Sequence, residues 1–179
     1  LRPKSKLAAA SQFLTFSDMT VFVHKDMWTI NEAVALEQFT GIRKDLVSLA
    51  LASYFAEVLE AVTDEDYPDP AVLQLGLNSL FALSEGLHPR ALVKAAFELR
   101  LMCLSGYEPD LSACRACGET EFDPVYIEPE SFELSCGDCR SEKAIEVSAA
   151  ALRAMRHIIS AESKKVFSFE LDPESLREL

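Results

Sequence analysis

Glycine is scarce in this sequence, with six in 179 residues. No glycine-rich loop for cradling a phosphate can be drawn from them. Basic residues are also in short supply: 17 Lys and Arg stand against 29 Asp and Glu, for a formal net charge of −12. That excludes a surface coated throughout with cations, though not a local basic patch. No apolar run reaches the ~20 residues that a membrane span takes. The three histidines, His24, His88 and His157, are scattered, and none stands beside a Ser, Cys or Asp in a nucleophile pattern. No enzyme is expected. An enzyme using Cys103 or a histidine is the least favoured reading, because Cys103 lies inside an apolar helical stretch where a thiol packs as a small hydrophobe. The chain opens on Leu1 rather than Met, with no charged-then-apolar signal pattern after it. It is therefore expected to start inside a longer protein, and its last residues, DPESLREL, read as the opening turn of a helix.

What is present is an ordinary globular composition, 49% hydrophobic and 26% charged. A chain of this length buries about 70% of its unfolded surface, enough for a core without staples. The charge is unevenly spread. Residues 1–30 carry Arg2, Lys4, Lys6 and Lys25 against Asp18 and Asp26. Residues 63–89 hold five acids and no Lys or Arg, and residues 114–147 hold nine acids against Arg115, Arg140 and Lys143. The acid gathers in the middle and the cations toward the ends.

The periodicity changes along the chain. Residues 7–39 read as strands: 19–24 alternate at period two, Lys25-Asp26 supplies a turn, 27–30 resume, and 33–39 continue the sheet. A hairpin or meander this small is not stable alone, so it is expected to belong to a small β-barrel. From Gly41 the spacing becomes helical, with Arg43-Lys44 opening a helix over 43–62. Asp69 and Pro70 cap and start a helix to about 85 that is apolar nearly all round. His88-Pro89 repeats the pattern for a helix to Ser105, which Gly106 ends. Ser148 caps a helix to about 161, 166–169 are extended, and Asp172-Pro173 begin a last helix.

Four of the five cysteines form Cys114-x-x-Cys117 and Cys136-x-x-Cys139, with 18 residues between the pairs. This is the spacing of a four-thiolate structural zinc site. Each pair makes a tight turn, with Gly118 and Gly137 placed to relieve it. Stretches 124–127 and 131–134 flank a turn at Glu128-Pro129-Glu130, as in a zinc ribbon. Two disulfides are the alternative, which reduced intracellular thiols disfavour. Four thiolates close the metal's shell, so no chemistry is expected at the ion.

Three basic groups remain. Arg2, Lys4 and Lys6 form a run beside the strands, which is either a flexible loop or a phosphate contact. Arg43 and Lys44 stand at a helix start, where acids are usual, so they are either solvated or aimed at an anion. Arg153, Arg156 and His157, with Lys164 and Lys165, make a second patch whose default reading is a solvated face.

The succession of these parts resembles the RecO family of bacterial DNA repair and recombination mediators. The resemblance rests on LRPKSKLAAASQFLTF, GIRKDLVSLALASYFAEVLEAV and above all HPRALVKAAFELRLMCLSGYEPDLSACRACG, where a helix runs straight into the first cysteine knuckle. It covers essentially the whole chain. It implies an α+β, mostly α, fold: a partial OB-type barrel over 1–40, a helical domain over 41–113 and 147–179, and a zinc ribbon over 114–146 inserted in that domain. It further implies a cytoplasmic, nucleoid-associated protein. Such a protein binds single-stranded DNA, anneals strands, pairs with RecR, docks on the acidic C-terminal tail of single-strand-binding protein, and so helps to load RecA. Arg2, Lys4, Lys6, Arg43 and Lys44 are the expected DNA contacts. Cys114, Cys117, Cys136 and Cys139 are the expected ligands of one zinc ion. Some relatives carry two adjacent arginines where this chain has Ala95-Ala96, which leaves Arg90, Lys94 and Arg100 as the candidates to hold the partner tail. A zinc-ribbon adaptor that binds proteins and not nucleic acid is the competing expectation.

Overall fold

A computed structural model describes residues 7–25, 27–64 and 67–179. Arg2, Lys4 and Lys6 lie outside the described residues, as do Asp26 of the hairpin turn and Glu65-Asp66 of the acidic linker. The described chain is α+β: a hairpin, three helices, a small sheet carrying the cysteines, and a fourth helix.

Strands β1 (Phe16–His24) and β2 (Met27–Glu37) pair antiparallel as a two-stranded sheet. Residues 7–14 form turns rather than the expected strand, and 27–37 are one continuous strand with a register shift opposite Thr20/Val21. Cross-strand partners share a face, so Val21 opposite Ile30 and Val23 opposite Trp28 line one apolar side. That side is open, and Trp28 is 73% exposed. Phe39, with φ 44° and buried, turns the chain from the hairpin into the helical body.

The body is built by good local signals. A 3-10 turn over Thr40–Lys44 precedes α1 (Leu46–Val62), so Arg43 and Lys44 end a turn instead of opening the helix. The reason is Asp45: its carboxylate accepts the Ser48 N–H (2.8 Å) and hydroxyl (2.7 Å), which fixes the helix start after it. Helix α2 (Pro70–Glu85) begins as expected, with Asp69 accepting the Ala71 and Val72 N–H groups and Pro70 in the first turn. Gly86 closes it at φ 64°. Helix α3 (Arg90–Leu104) starts at Pro89 without a side-chain cap, so His88 does not cap it; its ring lies 6.3 Å from that of Phe167. Helix α4 (Ala149–Ser160) is capped by Ser148, whose hydroxyl accepts the Ala151 N–H.

The core sits where these helices meet. Phe55 of α1 stacks on Phe97 of α3 at 4.1 Å, both fully buried, with Ile42, Leu75, Leu92, Met155 and Ile158 around them. Gly41 lies so close to the Ser84 carbonyl that a Cβ would stand 1.8 Å from its oxygen, so only glycine lets this turn seat on the end of α2. Beyond α4 the expected extended piece at 166–169 is a turn after a 3-10 segment (Ser163–Lys165), which buries Val166 and Phe167. The last expected helix is a single 3-10 turn (Ser175–Arg177). There Asp172 accepts the N–H groups of Glu174 and Ser175, which fixes the turn.

Candidate metal centre and helical groove

The cysteines lie on a three-stranded sheet ordered β4-β3-β5, from β3 (Val125–Ile127), β4 (Leu134–Cys136) and β5 (Ile145–Val147). The sequence pointed to β3; the second expected stretch, 131–134, meets β4 only at Leu134, and β5 was not expected. Each knuckle is a hydrogen-bonded turn. Gly118 N–H donates to the Cys114 carbonyl, and the N–H groups of Cys139 and Arg140 donate to that of Cys136. Gly118 takes φ 77°, as the turn needs, whereas Gly137 is not among the residues with positive φ. Arg115 N–H donates to the Leu134 carbonyl at 2.9 Å, tying the first knuckle to the strand that carries the second.

This brings all four sulfurs within 4.8 Å of one another, with Cys117 and Cys136 at 3.9 Å. Four thiolates about one ion at ~2.3 Å stand roughly 3.8 Å apart, so the donor set fits a single tetrahedral metal. None of the five cysteines is in a disulfide. The backbone N–H groups of Cys117 and Cys136 draw the Cys114 thiol down to about 6. Its neighbours Cys136 and Cys117 push Cys139 up to about 12. One thiol thus ionises readily while its clustered neighbours hold their protons, a conflict that a divalent cation removes.

Glu128, which sequence reasoning passed over as part of a turn, locks the ribbon. One of its oxygens accepts the Ser135 hydroxyl (2.8 Å) and the Ser141 N–H (3.0 Å), and the other accepts the Ser141 hydroxyl (2.5 Å). Ser141, then Ser135, hold its carboxyl below the usual range. The serines at positions 135 and 141 were the only signal in the sequence, and their spacing fits no standard pattern.

The basic candidates divide by what they touch. Arg43 donates to Gln12 (2.7 Å) and to the Phe13 carbonyl (2.8 Å), pinning the turns before β1 to the helical body. Lys44 is exposed, with no partner among the described residues. Arg90 pairs with Asp45, and Lys94 with Glu98 at 2.7 Å. Arg100 turns the other way and donates to the Ile158 and Ile159 carbonyls at the end of α4. Ala95 is half-buried and Ala96 fully buried. In the second patch, Arg156 donates to the Leu111 carbonyl and Lys165 pairs with Glu162, while Arg153 and Lys164 are exposed and unpartnered among the described residues. Burial pushes the Cys103 thiol up, with Glu108 adding to it, opposite to what a nucleophilic thiolate needs.

A groove of about 480 Å³ runs between α1 and α3. Val58, Val62, Leu101, Met102 and Tyr107 line its apolar length, and Tyr54 with Glu98 closes one end. The Tyr54 hydroxyl donates to Glu98 at 2.5 Å, a bond that raises the phenol to about 12. Lys94 sits over the Tyr54 ring at 5.9 Å, so the groove has an apolar floor and a charged end. Among the described residues no helix is long and apolar enough to cross a membrane.

Residues 43–179 match the family described as recombination protein O, C-terminal. The chain is 36% identical over 180 residues to the DNA repair protein RecO of Acetivibrio thermocellus, a match spanning 99% of this chain and 72% of that protein. RecO proteins of Dehalococcoides mccartyi and Alkaliphilus metalliredigens match at 28% and 26% identity, over 99% and 96% of this chain and 71% of each relative. With more than half of its length in that family and a relative above 30% identity matched nearly end to end, the chain belongs to the RecO family.

Proposed function

We propose that this chain serves DNA repair as a recombination mediator: it binds single-stranded DNA, promotes annealing, and works with RecR and single-strand-binding protein to load RecA. The observation that carries the reading is similarity to proteins named DNA repair protein RecO over 99% of the chain. No bond is made or broken in this role, and the protein acts by capturing phosphates and docking partners. On this reading β1 and β2 belong to an OB-type barrel whose core takes the open apolar face of the hairpin. Arg2, Lys4 and Lys6, with Lys44 at the start of the helical body, supply phosphate contacts. Arg43 contributes by holding the turns between them in place.

Cys114, Cys117, Cys136 and Cys139 would hold one Zn²⁺, which supplies folding free energy to the ribbon. Support comes from the four sulfurs within 4.8 Å of one another. The acidic tail of single-strand-binding protein would lie in the α1–α3 groove, along Val58, Leu101 and Met102, with its carboxylates toward Lys94 and Arg90. The protein would work in the bacterial cytoplasm, at the nucleoid.

Single-strand binding by this chain, followed by fluorescence anisotropy of a labelled oligonucleotide, tests the reading. Log affinity is expected to fall linearly with log salt, as counterion release requires. Absence of binding at low salt would sink it and leave the adaptor that binds only proteins.

A further inference from the structure

In the free protein, the cations of α3 that face α1 are already neutralised from within. Arg90 is held by Asp45 and Lys94 by Glu98. The two acids are not equivalent. Asp45 is committed to capping α1 through Ser48 and cannot leave without loosening the helix start. Glu98 has no such duty: among the described residues its oxygens accept only the Tyr54 hydroxyl and the Lys94 ammonium, and its side chain is 34% exposed. Its carboxylate lies at the charged end of the groove, with apolar Leu101 and Met102 of the same helix beyond it.

We propose that Glu98 is an internal stand-in for a ligand carboxylate, occupying Lys94 in the free protein and releasing it to an acidic, apolar peptide seated in the α1–α3 groove. The inference rests on the reading of that groove given above. Glu98 then sets specificity in two ways. It repels acidic peptides that bring no apolar residue to offset the exchange, because a surface ion pair traded for another gains little. It also keeps the groove from collecting anions indiscriminately. Tyr54 is the positioning residue, since its hydroxyl holds Glu98 over the groove end, and its ring flanks Lys94.

The test uses a fluorescein-labelled peptide, a run of aspartates followed by two leucines to meet the apolar lining, and a neutral counterpart with asparagines. Glu98→Gln keeps an acceptor for Tyr54 and removes the charge, so the fold is retained. Its thermal melt confirms this. It should bind the acidic peptide roughly three- to fivefold tighter than the parent at low salt, with the gain shrinking as salt rises. The neutral peptide should not respond. Lys94→Gln should weaken the acidic peptide and cancel the gain from Glu98→Gln in the double variant. If the parent binds the acidic peptide and Glu98→Gln binds it equally or more weakly, the stand-in is wrong and the groove reading survives. If neither protein binds, the groove reading falls and takes the stand-in with it.

Discussion

Single side chains decide where this body holds and where it gives. The Phe55–Phe97 stack joins α1 to α3 with both rings fully buried. Phe97→Ala is expected to cost about 3–5 kcal/mol, read as a lower urea midpoint. The carboxylates that begin helices act differently. Ser48 holds Asp45, and Ser175 holds Asp172, below the usual carboxyl range. Groups depressed on folding contribute stability that is fully present above their unfolded value. It fades as pH falls from about 3.9 toward the folded value. Thermal melts between pH 5 and pH 2 should therefore show a loss that Asp45→Asn and Asp172→Asn flatten. These caps were legible in the sequence at Asp69, Ser148 and Asp172, where a cap precedes a helical or turn-forming stretch. Asp45 was not, because Ile42, Arg43 and Lys44 ahead of it carry the same apolar-then-polar period as the helix.

At the scale of elements, legibility followed the length of the pattern. Helices α2, α3 and α4 fell within about a residue of their expected bounds, since each has two or more turns of apolar period. The cysteine sheet was half legible: the paired spacing announced one centre, yet β5 and the Glu128 clasp depend on contacts between residues far apart in sequence. The hairpin was legible as strands but not as an open surface, because alternation says which side is apolar and not what covers it. A prediction follows for the ribbon. Its strands are three residues each, too short to persist without the centre. Cys→Ser at any of the four positions should abolish roughly stoichiometric zinc, measured by elemental analysis. Chelation should release backbone amides of 125–147 to rapid hydrogen exchange while α1–α3 stay protected. Zinc uptake should also displace protons from Cys117 and Cys139, both of which sit above the usual thiol value. Glu128→Ala should leave the cysteines in place but weaken zinc retention, since the loop holding Ser141 beside the second knuckle loses its anchor.

For the whole molecule, the net charge of −12 is a sum over unlike regions. The acidic excess lies in the stretch before and through α2 and in the ribbon, whereas residues 1–30 carry more base than acid. A polyanion approaching such a body is repelled by most of it, so on the proposed reading its contacts should be few and localised. That makes the salt dependence of binding a count of phosphates rather than a measure of overall charge. For single strands each neutralised phosphate contributes about −0.7 to the slope of log affinity against log salt. Replacing Lys4 and Lys6 together with glutamine should therefore make the slope shallower by about 1.4. Replacing Arg153 of α4 and Lys164 just beyond it, both unpartnered among the described residues, should lower affinity little and leave the slope unchanged. Were the second pair to carry the slope and the first to leave it untouched, DNA would be held at the α4 end of the helical body, and the assignment of the phosphate contacts to the hairpin end would be reversed.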